Sequence, residues 1–126
     1  MAYSATVTVK KVSSDTDFLV TIEETDATGT SEFEITDLPS TGRILRYTSV
    51  LTSGTGTTVD PIVGFATNPS GINVILENGT PAATIDVTPE PATYYVANKF
   101  FVRSKVDAGT NNSISTRILV RGTFGR

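Results

Sequence analysis

Apolar residues in this chain recur at every second position, in short runs broken by Gly, Pro, Asn and Asp, and no other feature restricts the fold so strongly. Ala5, Val7 and Val9 alternate with Thr6, Thr8 and Lys10, while Phe18, Val20 and Ile22 oppose Thr21 and Glu23. Phe33 and Ile35 alternate with Glu32 and Glu34 in the same way. Successive side chains of a strand point to opposite faces, so this pattern marks half-buried β-strands. No window carries a helical period and no capping box precedes an apolar run, so little or no helix is expected.

Strands are predicted over Ser4–Val12, Phe18–Glu24, around Phe33–Ile35, and over Arg43–Leu51, Ile62–Ala66, Ile72–Glu77, Thr84–Thr88, Tyr94–Val106 and Ser113–Phe124. The first two read as an opening hairpin. In Arg43–Leu51 both faces are partly apolar, Ile44 and Val50 on one and Leu45, Tyr47 and Leu51 on the other. Tyr94–Val106 reads as the longest strand. Asn78-Gly79 suits a type I′ hairpin turn, and Pro89-Glu90-Pro91 forces an extended crossover between sheets. About nine short strands at roughly 8–12-residue intervals predict an all-β fold, a single β-sandwich of jelly-roll type. Residues 1–126 are expected to form one domain, long enough to hold a core without disulfides or metal.

The chain has no His, Cys or Trp, and this removes most catalytic kits. Serine nucleophiles need a base, and the remaining pairing, Ser104 with Lys105, joins strand neighbours whose side chains diverge. Glu32 and Glu34 share a face, but nothing near them would raise one pKa as glycoside hydrolysis requires. Without His or Cys, only an oxygen-ligated ion such as calcium is conceivable, at Asp15-Thr16-Asp17 or at Asp107 with Asn111 and Asn112. Those residues read first as turn formers, and neither cluster has the spacing of a twelve-residue calcium loop. Gly54-Thr55-Gly56 lacks the lysine and helix of a phosphate loop. The expectation is a non-enzymatic protein with no cofactor and no metal.

Charge is divided along the chain. Eight acids and no base lie between Val12 and Gly42, whereas Lys99, Arg103, Lys105, Arg117, Arg121 and Arg126 face a lone Asp107 after Asn98. A net charge of −3 argues against nucleic acid as the main partner. Two readings of the division stand side by side. Arg103, Arg117 and Arg121 could dock against Glu23, Glu32 and Glu34 of a neighbouring subunit, or the two sets could neutralise each other across sheets within one chain. No run of apolar residues is long enough to span a membrane, and the first residues lack the basic region of a secretory leader.

Met1-Ala2-Tyr3-Ser4-Ala5-Thr6-Val7-Thr8-Val9, the stretch Leu51 to Pro61, and Asp107-Ala108-Gly109-Thr110-Asn111-Asn112 resemble segments of small structural proteins of tailed bacteriophages. The resemblance is one of style over most of the chain and defines no motif. It implies a virion component made in the host cytoplasm, most simply a capsid decoration or cement protein. Its partners would be other virion proteins, and it would be a homo-oligomer or present in many copies. The runner-up is a tail or fibre-attachment subunit with a carbohydrate-binding surface, for which Tyr47, Tyr94 and Tyr95 are the aromatics to inspect.

Overall fold

The alternating segments form ten strands among the residues described by a computed structural model, namely 3–12, 17–38, 41–64, 74–77, 82–88, 93–95 and 99–123. For residues 41, 74–77, 93–95 and 123 the description is of the backbone alone. The strands are β1 (Ser4–Lys11), β2 (Asp17–Ala27), β3 (Thr30–Ile35), β4 (Thr41–Ser53), β5 (Ile62–Gly64), β6 (Val74–Glu77), β7 (Thr84–Val87), β8 (Thr93–Tyr95), β9 (Phe100–Lys105) and β10 (Asn112–Thr123). They make two antiparallel sheets. The larger has six strands in the order β1-β2-β10-β4-β7, with β8 also paired to β4; the smaller runs β3-β9-β5-β6.

These pairings are nested. β2 pairs β10, β3 pairs β9, β4 pairs β7 and β8, and β5 pairs β6. The chain from β2 to β10 is thus one long hairpin, rolled so that its two arms contribute alternately to both sheets. That is the jelly-roll arrangement anticipated from strand count and spacing. β1 lies outside the nest, as an added strand on the free side of β2.

Between the sheets lies the core. Val20 and Ile22 of β2, Ile44 and Tyr47 of β4, Phe100 and Val102 of β9, and Ile114, Ile118 and Val120 of β10 are all buried there. Each such side chain contributes about 1.5–3 kcal/mol relative to exposure. Two polar side chains enter the same layer together. Ser49 and Thr116 are fully buried, and their hydroxyls hydrogen-bond at 3.0 Å, so neither is left without a partner.

Two sequence expectations are corrected. Ile44 does not face Val50: it is buried beside Tyr47, while Leu45 is half-buried. The reason is a bulge, since Leu119 pairs Arg46 and Val120 pairs Ile44, which leaves Leu45 as an extra residue that resets the alternation. The stretch Tyr94–Val106 is not one strand. β8 belongs to the larger sheet and β9 to the smaller, so the chain changes sheets between them, and the longest strand is β4 with 13 residues. The Asn78-Gly79 turn and the Pro89-Glu90-Pro91 crossover lie outside the described residues.

Candidate docking surface

Nested pairing decides where the charges go. β2 and β3 carry the acids, β9 and β10 carry the bases, and the roll sets β2 against β10 and β3 against β9. Asp17 lies opposite Arg121, whose Nε and Nη2 donate to its two carboxylate oxygens at 2.8 and 3.2 Å. Arg117 approaches Glu23 to 3.8 Å, and Ser115 also donates to Glu23 at 2.9 Å. In the smaller sheet, Glu32 lies directly opposite Arg103, and Lys99 reaches Glu34 at 3.4 Å while sitting 5.9 Å from the Phe101 ring centre. Arg103 also comes within 3.9 Å of Asp60. Within one chain, acids and bases thus meet across strand pairs, Arg121 with Asp17, Arg117 with Glu23 and Lys99 with Glu34. The acids and bases do not mark two separate surfaces: Glu23, Arg117 and Arg121 share the outer face of the larger sheet, and Glu32, Glu34 and Arg103 that of the smaller.

One acid has another role. Glu24 follows a residue that faces solvent, so alternation turns it inward, and it is 2% exposed. Ser104 donates to its Oε2 at 2.8 Å and the Tyr3 hydroxyl to its Oε1 at 3.0 Å. Ser104 therefore faces the interior and Lys105 solvent, the divergence expected of strand neighbours.

The outer face of the larger sheet has an apolar centre. Leu19 of β2 is the cross-strand partner of Leu119 of β10, and Leu119 is the partner of Arg46 of β4. With Thr48 and Arg117 these residues line a shallow depression of about 210 Å³. Both leucines are half-buried, and both arginines are exposed. Arg46 is oriented by a two-point contact with Asp86, its Nε donating to Oδ1 at 2.8 Å. That contact raises the Arg46 pKa and lowers that of Asp86. An apolar floor rimmed by arginines has the composition of a protein-binding patch. Sequence reasoning found Arg117 but missed Arg46 and the leucines, because only strand register shows that residues 19, 46 and 119 are neighbours.

The loop cluster considered for calcium has a structural task. Asp107 accepts hydrogen bonds from the Thr57 and Thr58 N–H groups, each at 3.0 Å, and from the Thr57 hydroxyl. These donors hold its carboxyl well below the usual carboxylate range, the Thr57 hydroxyl most of all. Asn112 is fully buried; its Oδ1 accepts from Gly56 N–H at 2.9 Å, and its Nδ2 donates to the Ala27 and Ala108 carbonyls at 3.1 Å each. Gly109 has φ of +103°, and a Cβ there would stand 2.3 Å from the Gly56 nitrogen, so only glycine fits the crossing of the two loops. Asp15 and Thr16 lie outside the described residues. Among the described residues no group of three or more Asp or Glu side chains is placed to hold a metal ion.

Beside this clasp, Thr58, Asp60, Lys105 and Asp107 line a cleft of about 230 Å³. Of the aromatics considered for carbohydrate stacking, Tyr47 is fully buried in the core, and the side chains of Tyr94 and Tyr95 lie outside the description. Compared with models of known protein families and with curated proteins, the sequence finds no match.

Proposed function

We propose that this chain is a non-enzymatic structural protein of a bacteriophage particle, a capsid decoration protein that docks on other virion subunits through the outer face of its larger sheet. The observation that carries this reading is the Leu19/Leu119 floor between Arg46 and Arg117, two exposed arginines oriented by acids of the same chain, on the outer face of the larger sheet. Fold alone would not support it, because jelly rolls also build lectins and enzymes of several classes. The site narrows the choice. It is shallow and exposed, which suits a protein surface better than a small substrate.

The partner it fits presents an apolar side chain flanked by carboxylates. The apolar group would cover the leucines, and each guanidinium, with five N–H donors, can hold an additional acceptor beyond its own-chain acid. Docking of this kind depends less on the acid–base division along the chain than on two leucines and two arginines brought together by register.

The test is made on purified particles of the phage that encodes the chain. Mass spectrometry should find it in fixed stoichiometry with a shell subunit. Particles lacking it should rebind added wild-type protein but not Leu119→Glu, which removes the floor and gives both arginines an acid of their own. The variant should keep the wild-type circular dichroism spectrum. Absence of the chain from purified particles would overturn the reading, and so would full occupancy by the variant.

A further inference from the structure

We infer that two copies of this chain associate edge to edge through β1, antiparallel across a two-fold axis, joining their larger sheets into one. The inference rests on the fold and is independent of the virion reading.

β1 is the strand the nested roll does not require. Among the described residues it pairs only with β2, and no described strand lies along its other backbone edge. Seven of its eight residues are exposed, on both faces, and Val9 alone is partly covered. Register identifies the inward face. Ala5, Val7 and Val9 lie opposite Glu24, Ile22 and Val20, all of which are buried between the sheets. β1 therefore keeps a core-type alternation where the smaller sheet no longer covers it. Among the described residues, the large hydrophobics classed as exposed are Tyr3, Val7 and Val12, at 43, 41 and 45%, and all three belong to this strand or its immediate flanks. An open edge carrying apolar side chains is a template for pairing with another strand.

Charge selects the occupant and its direction. On the outer face, the end of β1 near Lys10 is basic, whereas the opposite end runs beside exposed Glu23, the partner of Thr6, which already accepts from Ser115 and lies 3.8 Å from Arg117. An antiparallel second copy brings the lysine end of each chain beside the Glu23 end of the other. A parallel copy would set lysine against lysine. A contact that matches itself under a two-fold axis is isologous and closes as a dimer. Val7 lies midway along the strand, near the axis, where both copies would extend the Ala5-Val7-Val9 strip into a shared apolar floor.

Lys10 has a place in this arrangement. It projects from the outer face directly opposite Leu19, and the diagonal acid, Asp17, is held by Arg121. Its counterpart comes from the second copy.

The experiment uses the full chain. Sedimentation equilibrium should give a dimer that dissociates more readily as salt is added. Val7→Lys, a charge pointing inward on the edge strand, should yield a folded monomer with an unchanged circular dichroism spectrum. Lys10→Glu should raise the dimer dissociation constant about tenfold. Because the chain has no cysteine, Val7→Cys provides a clean geometric check: mild oxidation should link the two copies through that single residue. A wild-type monomer up to the solubility limit would overturn the inference. So would a dimer that Val7→Lys leaves intact, or a trimer or larger ring. Particle binding can persist or fail in any of these cases, so the outcome is separable from that of the proposed function.

Discussion

At the scale of single residues, the loop clasp is held by two side chains with different liabilities. Asn112 makes three hydrogen bonds from a fully buried position, and Asn112→Ala strands the Gly56 N–H and two carbonyls. Each buried group left without a partner costs about 1–3 kcal/mol, and some of the three will find water at the loop surface. The expected loss is about 3 kcal/mol, measured by urea denaturation at neutral pH; a loss below about 1 kcal/mol would show that the amide is not what holds the loops. Asp107 is exposed, and its liability is acid. Its folded pKa is depressed, so its contribution is complete above the unfolded value near 3.9 and disappears as pH falls from there towards the folded value. Asp107→Asn should therefore be less stable than wild type at pH 7, with the difference narrowing steadily once the pH drops below about 4. A difference independent of pH would mean that the carboxylate charge has no part in holding Thr57 and Thr58.

At the scale of elements, most strands and the opening β1–β2 hairpin were legible in the sequence, and the long-range strand neighbours were not. Alternation along the expected strand Ser113–Phe124 puts Ile114, Thr116, Ile118 and Val120 on one face, and all four are buried. It failed at Leu45, where one extra residue shifts the phase, because a bulge has no signature in a run apolar on both faces. It failed also where β8 and β9 meet, because two strands in register with a single alternation look like one even when they join different sheets. The candidate site depended on exactly such pairings. Arg117 and Arg121 stood out by charge, but the meeting of Arg121 with Asp17 directly opposite and of Arg117 with Glu23 on the diagonal follows from β2 lying beside β10, almost the whole chain apart. Leu19, Arg46 and Leu119 drew no notice as single residues, since an isolated leucine or arginine on a strand face is ordinary. Exposed ion pairs of this type add little stability. Their effect is on register: a one-residue slip of β10 against β2 would turn Arg117 and Arg121 away from their acids and the buried isoleucines into solvent.

At the scale of the molecule, nesting makes the strands unequal. β10 sits between β2 and β4 in the middle of the larger sheet and carries five buried side chains, so the roll cannot close without the last part of the chain. β1 is the converse case. It is an outer strand added to a hairpin that is already complete from β2 to β10, and its removal leaves every nested pair in place. What it does supply is cover for the outer edge of β2, partial packing of Val9 against the core, and the Tyr3 hydroxyl on buried Glu24. Loss of that hydrogen bond and of the Val9 contact should cost about 2–4 kcal/mol together, short of what holds a domain of this size. A chain beginning at residue 12 should thus melt in a single cooperative transition at a lower temperature than wild type, keep its β-sheet circular dichroism, and sediment as a monomer. A chain ending at residue 111, which lacks β10, should not fold at all. If the two truncations behaved alike, β1 would have to be counted as part of the core, and the division of the molecule into a closed roll and an added edge strand would fail.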